Sequence, residues 1–290
     1  MSKRVAVATA AEVPELDDEG RLLLAVLTGR GVPAEPVVWD ADVVWSDYGL
    51  VVVRSTWDYA ERLPEFLAWA AHVGGVTQLL NTAEVIGWNT DKRYLAELER
   101  AGVPIVPTQF LEPGDGPRHR YEDVEHVVKP VVSAGSRDTL RLGPDEVRRS
   151  HDHAGSLLAA GRRVMVQPYL HEVDEHGETA LLYVGGRFSH AMRKGPLLTA
   201  GMELVQGLFA QEEMTPRDPS PAERELADQV LAAVPATLAA DLLYARVDLL
   251  PTPEGPRLLE LELTEPSLFL DHHPPAAEAL ADAILGRLDG

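Results

Sequence analysis

Four charged side chains near the end of the chain stand at spacings that could do chemistry. Ala245-Arg246-Val247-Asp248-Leu249 and Leu259-Glu260-Leu261-Glu262-Leu263 are apolar runs with a charge at every second position. Side chains alternate faces along a strand, so Arg246 and Asp248 share one face. Glu260 and Glu262 likewise share one, with Leu259, Leu261 and Leu263 on the other. The turn-forming stretch 251–256 predicts a hairpin, and antiparallel pairing across it can bring all four charges onto one surface. Three carboxylates held together raise one another's pKa unless a cation offsets them. Hard divalent ions do so, and Mg²⁺ joins carboxylates to nucleotide phosphate oxygens. The same alternation also describes a hairpin whose polar face meets water.

Two lysines and a loop of small residues suggest an anion site. Lys129 closes the apolar run Val127-Val128-Lys129-Pro130, and Lys92 stands at a helix start in Asn89-Thr90-Asp91-Lys92. A lysine ending a buried strand either faces an anion or snorkels into water. Ser133-Ala134-Gly135-Ser136 follows, small enough to bring backbone N–H groups close to phosphate oxygens, though an ordinary turn has the same composition. Neither Gly-x-x-x-x-Gly-Lys nor Gly-x-Gly-x-x-Gly is present there.

A third cluster, Arg54-Ser55-Thr56-Trp57-Asp58-Tyr59, follows the apolar strand 50–53. Ligands gather at the carboxyl ends of parallel strands. Arg54 can grip a carboxylate with two donors, Asp58 can meet an ammonium group, and Trp57 and Tyr59 can wall a small pocket. The alternative is a capped turn with Trp57 in the core. Glu265 and Ser267, just past the acidic hairpin, can also reach a substrate. His151, His153, His171, His176, His272 and His273 show no helical i, i+4 pair and read as solvated loop residues, not zinc ligands. His190 lies in a strand expected to face the cleft.

The elements that must position these groups fall into two regions. Up to about residue 90, strands at 3–9, 37–39, 50–53 and 77–80 alternate with helices at 16–30 and 64–72. Continuous apolar strands separated by helices predict a parallel sheet covered on both faces. Beyond it, a helix at 91–101, strands near 105–111 and 125–130, a helix at 144–160 and a strand at 163–167 are expected. A hairpin, 179–185 with 187–192, turns at Gly185-Gly186, and the stretch 195–219 reads as a loop. Ser220 caps a helix with Pro221 at its first position, and a last helix follows Pro274-Pro275. The fold class is therefore α/β followed by α+β.

Composition narrows the function. The 290 residues include 26 Lys and Arg against 46 Asp and Glu, a net charge of −20 that disfavours nucleic acid. No cysteine is present, which removes disulfides and thiolate chemistry and fits a cytoplasmic location. No apolar run reaches membrane-spanning length. The lack of Gly-x-Gly-x-x-Gly after the first strand argues against a dinucleotide oxidoreductase.

Taken in order, the lysine on a helix, the lysine on a strand, the small loop, the strand and linker 164–170, Gly177-Glu178 and the Asp…Glu-x-Glu hairpin resemble the ATP-grasp superfamily over about residues 88–270. The resemblance implies an ATP-grasp fold behind a Rossmann-like pre-ATP-grasp domain. It implies domains at 1–88, 89–165 and 166–290. It makes Lys92 and Lys129 the nucleotide lysines, and Ser133, Gly135 and Ser136 part of the loop over the phosphates. Gln167, Tyr169 and Leu170 become the adenine linker and Glu178 the ribose carboxylate. Asp248, Glu260 and Glu262 would hold two magnesium ions, and Arg246 and Lys194 would act on the transferring phosphoryl group.

Within the superfamily, Arg54-Ser-Thr-Trp-Asp-Tyr59, Asn89-Thr-Asp-Lys92, Gly186-Arg-Phe-Ser-His-Ala191 with Lys194, and Glu260-Leu-Glu-Leu-Thr-Glu-Pro-Ser267 resemble the O-ureido-serine cyclo-ligases of cycloserine biosynthesis and their relatives. Relatives carry Phe-Arg-Val-Gln where this chain has Glu203-Leu204-Val205-Gln206, so Leu204 replaces an arginine. The implied activity is ATP-dependent carboxylate–amine ligation through an acyl phosphate on a small, amino-acid-like substrate. It would close a ring or join two molecules, and a homodimer is compatible with it. A non-catalytic nucleotide-binding protein is the competing class.

Overall fold

The computed structural model describes residues 4–196 and 213–288. Leu204 and most of the expected 195–219 loop lie outside the described residues.

The first region comprises β1 (Arg4–Thr9), α1 (Asp18–Gly29), β2 (Ala34–Val38), β3 (Tyr48–Ser55), α2 (Leu63–Val76) and β4 (Gln78–Leu80). Its strands pair in parallel, in the order β2-β1-β3-β4. Val5, Ala6, Val7 and Ala8 of β1 and 50–53 of β3 are wholly buried, as expected for strands covered on both faces. One face packs on Trp39, Trp45, Tyr59, Phe66 and Trp69. Asp17 caps α1 by accepting from Gly20 N–H at 3.1 Å.

The helix expected at 91–101 is α4 (Tyr94–Arg100), and a further helix before it, α3 (Ala83–Asn89), was not expected. Thr82 caps α3 by accepting from Val85 N–H. The corner between them carries Lys92. Next come β5 (Gln109–Leu111), β6 (His126–Pro130), β7 (Leu140–Leu142), α5 (Val147–Ala159) and β8 (Val164–Pro168), with an antiparallel sheet in the order β5-β8-β6-β7. All of β8 pairs with β6, so the expected boundary at 165/166 cuts through one strand of this sheet.

The third region holds α6 (Glu172–His176), β9 (Glu178–Val184), β10 (Arg187–Lys194), β11 (Met214–Pro216), α7 (Pro221–Ala233), α8 (Ala236–Ala239), β12 (Tyr244–Leu250), β13 (Arg257–Glu262) and α9 (Pro275–Leu288). Its antiparallel sheet runs β11-β10-β9-β12-β13. From there α9 returns to the first region. Leu280 and Ile284 share one core with Leu23 and Leu27 of α1 and with Ala180 and Leu182 of β9. Arg30 closes this contact by pairing with Glu278 and Asp282. Among the described residues no helix is long and apolar enough to cross a membrane.

Candidate active site

The hairpin pairs as the alternation requires. Arg246 lies opposite Glu262 and Asp248 opposite Glu260, so all four line one cleft. One residue departs from expectation. Leu249 pairs with Leu258, which leaves Leu259 as an extra residue in β13. This bulge turns Leu259 into the cleft instead of the back face.

Cations interlock the carboxylates. Arg246 Nε donates to Asp248 Oδ1 at 3.0 Å, Nη2 donates to Asp248 Oδ2 at 3.0 Å and also to Glu262, and Nη1 donates to Ser267 O at 3.2 Å. Lys194 Nζ reaches Glu178 at 3.0 Å and Asp248 at 3.3 Å. Lys92 Nζ reaches Glu260 at 3.1 Å and Ser133 O at 2.8 Å. Burial works against ionisation of every carboxylate here. For Asp248, Arg246 and Lys194 overcome it and hold the pKa below the ordinary value. For Glu260, Lys92 and Lys129 do the same. For Glu262 burial wins over Arg246, and its pKa is pushed up to about 8. Burial likewise pushes Lys129 below the usual lysine range. A carboxyl group held protonated beside two others is a site short of positive charge. The oxygen-only donor set suits a hard divalent ion.

The cleft has a volume of about 480 Å³. Lys92, Lys129, Ser133, Gly135, Ser136, Gln167, Tyr169, Leu170, Glu178 and Lys194 all line it, as the sequence led us to expect. Gln167 Nε2 donates to Thr108 Oγ1 at 2.9 Å. Sequence reasoning missed the apolar walls beside this linker, Val106, Val173, Leu250 and Leu259, which pack with Tyr169 and Leu170. They come from separated segments and carry no local signal.

At the other end, Trp57, Tyr59, Glu265 and Ser267 line the cleft, joined by Asp17, Asp18, Glu19 and Asp271, which the sequence did not single out, and by His272, expected only as a solvated loop residue. Burial pushes the Glu265 carboxyl up to about 7. Tyr59 hydrogen-bonds to Glu265, tying the end of the first sheet to the acidic hairpin. Arg54, Ser55, Thr56 and Asp58 do not line the cleft. Arg54 is 3% exposed, pairs with Glu19 at 3.3 Å and lies over the Tyr244 ring. Ser55 donates to Asp17 at 2.7 Å. Asp58 accepts from the Trp39 indole at 3.0 Å on the opposite, aromatic side of the sheet. Nor does His190 reach the cleft: it bonds to Leu268 O at 3.0 Å and stacks on His273. His151 and His153 lie on α5, not in loops, and among the described residues no three His, Asp or Glu side chains are gathered as metal ligands, the cleft carboxylates being paired with Lys92, Lys194 and Arg246 instead.

Comparison with known proteins fits this geometry. The profile of the D-cycloserine synthetase DcsG N-terminal domain matches residues 5–81. The cycloserine biosynthesis protein DcsG of Streptomyces lavendulae is 38% identical over 297 aligned positions, covering 98% of each chain. The chain belongs to the D-cycloserine synthetase family of ATP-grasp ligases. A crystal structure of D-cycloserine synthetase DcsG superposes with a TM-score of 0.89 at 37% identity, covering 98% of this chain and 99% of that one. The ATP complex of D-alanine–D-alanine ligase from Bacillus anthracis shares the fold, with a TM-score of 0.72 at 14% identity over 99% and 97% of the two chains. This member of the family is thus a ligase that makes a C–N bond.

Proposed function

We propose that the enzyme activates a substrate carboxylate with ATP and joins it to a nitrogen of the same small molecule. The carboxylate oxygen attacks the γ-phosphorus, and the bond to the ADP oxygen breaks. The nitrogen then attacks the acyl phosphate carbon, phosphate leaves with the C–O bonding pair, and the nitrogen gives up a proton. The observation that carries this reading is the shared cleft face of Asp248, Glu260 and Glu262, ringed by Lys92, Lys129, Lys194 and Arg246.

Lys92 and Lys129 would neutralise the phosphates, with 133–136 closing over them. Gln167, Tyr169 and Leu170 would hold the adenine and Glu178 the ribose. Lys194 and Arg246 would offset charge as the phosphoryl group moves. Asp248, Glu260 and Glu262 would hold two Mg²⁺ ions, which when bound draw charge from the phosphate oxygens. Trp57, Tyr59, Glu265 and Ser267 would enclose an amino-acid-sized substrate. The family resemblance points to O-ureido-serine and ring closure in the cytoplasm. Leu204, at the position of an arginine in relatives, favours a second reading in which the nitrogen belongs to another molecule.

ADP release and product mass decide between them. Incubation with ATP, Mg²⁺ and O-ureido-D-serine should release ADP and give a cyclic product. ADP release only with pairs of amino acids would support the intermolecular reading. Folded enzyme that releases no ADP with either would overturn both.

A further inference from the structure

β13 is the outer strand of its sheet, so no neighbouring strand satisfies its free side. Bare backbone groups there would be costly, because this side is buried. At Leu258 the main chain of 104–106 serves: Leu258 N–H donates to Pro104 O at 2.9 Å, and Leu258 O accepts from Val106 N–H at 2.9 Å. Further along, side chains take over. Leu261 N–H donates to Tyr94 Oη at 2.9 Å, and Leu261 O accepts from that hydroxyl at 2.8 Å and from Asn89 Nδ2 at 2.8 Å. Leu263 N–H donates to Asn89 Oδ1 at 2.6 Å. Both Asn89 and Tyr94 are buried.

We propose that Asn89 and Tyr94 are positioning residues for the metal carboxylates, standing in for an absent sixth strand and fixing the backbone on both sides of Glu262. This rests on the metal reading of Glu260 and Glu262 given above. Leu261 lies between the two glutamates and Leu263 follows the second, so every pinned backbone group adjoins a carboxylate-bearing residue. Lys92, on the same corner between α3 and α4, grips the Glu260 head group. One short corner therefore sets the strand's backbone and one of its side chains together. Mg²⁺ demands near-octahedral oxygens at about 2.0–2.1 Å, so small drifts of an unpinned edge strand matter.

The experiment is calorimetry with a non-hydrolysable ATP analogue across a range of Mg²⁺ concentrations. Residues that orient metal ligands typically change metal affinity ten- to a hundredfold when removed. Asn89→Ala and Tyr94→Phe should each raise the half-saturating Mg²⁺ concentration about tenfold or more, with analogue binding in EDTA unchanged. Tyr94→Phe keeps the ring and its 5.1 Å contact with Trp88, so it decides the matter if Asn89→Ala does not fold. Folded Tyr94→Phe with the wild-type Mg²⁺ requirement would overturn the proposal. Glu262→Gln separates the two levels. If it too keeps the wild-type requirement, the metal reading fails. If it alone loses Mg²⁺ dependence, only the positioning role falls.

Discussion

Gly177 packs so closely beneath Lys194 that a Cβ on it would overlap the Lys194 carbonyl oxygen. Its φ of 74° and ψ of −174° lie in a region open almost only to glycine. The glycine lets Glu178 start β9 directly opposite Lys194, their registered partner. Gly177→Ala should cost about 1–3 kcal/mol of stability. It should also shift Lys194 away from Asp248 and lower kcat tenfold or more. Thermal denaturation and steady-state ADP release check both. A variant with reduced stability and unchanged kcat would separate the packing from the chemistry.

Glu265 gives a pH dependence with a definite sign. Its carboxyl titrates near 7 in the folded chain because burial opposes its charge, against an ordinary value of 4.5. The folded state therefore binds the extra proton between these values, and stability falls as pH rises through the window. Above pH 7 the cost reaches about 3 kcal/mol by linkage. Glu265→Gln should raise the melting temperature by several degrees at pH 8, leave it unchanged near pH 4.5, and lower turnover. A melting temperature unchanged at pH 8 would show that the carboxylate is already neutralised in the resting protein.

The opposite sign holds at a buried histidine cluster away from the cleft. Ser150 Oγ lies 2.9 Å from His119 Nε2 and 2.8 Å from His126 Nε2. Burial, then the neighbouring His126, lower His119 to about 4. Burial and His273 lower His190 to about 4 as well. These bases bind fewer protons folded than unfolded, so stability falls as pH drops from 6.5 towards 4. Each should contribute a loss of about 2 kcal/mol by pH 5. His119→Gln should flatten the fall in melting temperature between pH 7 and pH 5 relative to the native chain. An equally steep fall in the variant would assign the loss elsewhere.

The hairpin register could be read from sequence because its information is local: alternation fixes faces, and the 251–256 turn fixes pairing. Its bulge could not, since Leu259 counts as extra only once both strands are paired. That Lys129, Gln167 and Glu178 share the cleft was legible for a related reason, each standing at the end or start of a strand. The 54–59 cluster was half legible. Trp57 and Tyr59 reach the cleft, Tyr59 while also stacking on Phe66, whereas Asp58 turns away from the cleft to Trp39 because the 3-10 turn at Trp57–Ala60 rotates successive side chains. Asn89 and Tyr94 act on residues more than 160 positions away, and a single sequence carries no sign of such a contact. The three-residue β7 is too short to display a period.

Arg54 now poses a sharper question than its place at a strand end. Glu19 Oε2 accepts from Arg54 Nη2 at 3.3 Å and from Leu268 N–H at 2.8 Å. The pair thus buttresses the loop that presents Ser267 O to Arg246. Arg54 Nε and Nη1 have no hydrogen-bond partner among the described residues, which leaves donors to spare. Removing one partner of a buried ion pair typically costs about 3–5 kcal/mol, because the other charge stays behind unpaired. Arg54→Met should therefore lower the melting temperature sharply, and Arg54→Met with Glu19→Gln should recover much of it. The recovered double variant then isolates binding from stability. If the arginine only braces the loop, substrate KM returns towards the native value along with the fold. If Arg54 grips the substrate carboxylate, stability returns while KM stays raised tenfold or more, because no second charge replaces the lost guanidinium.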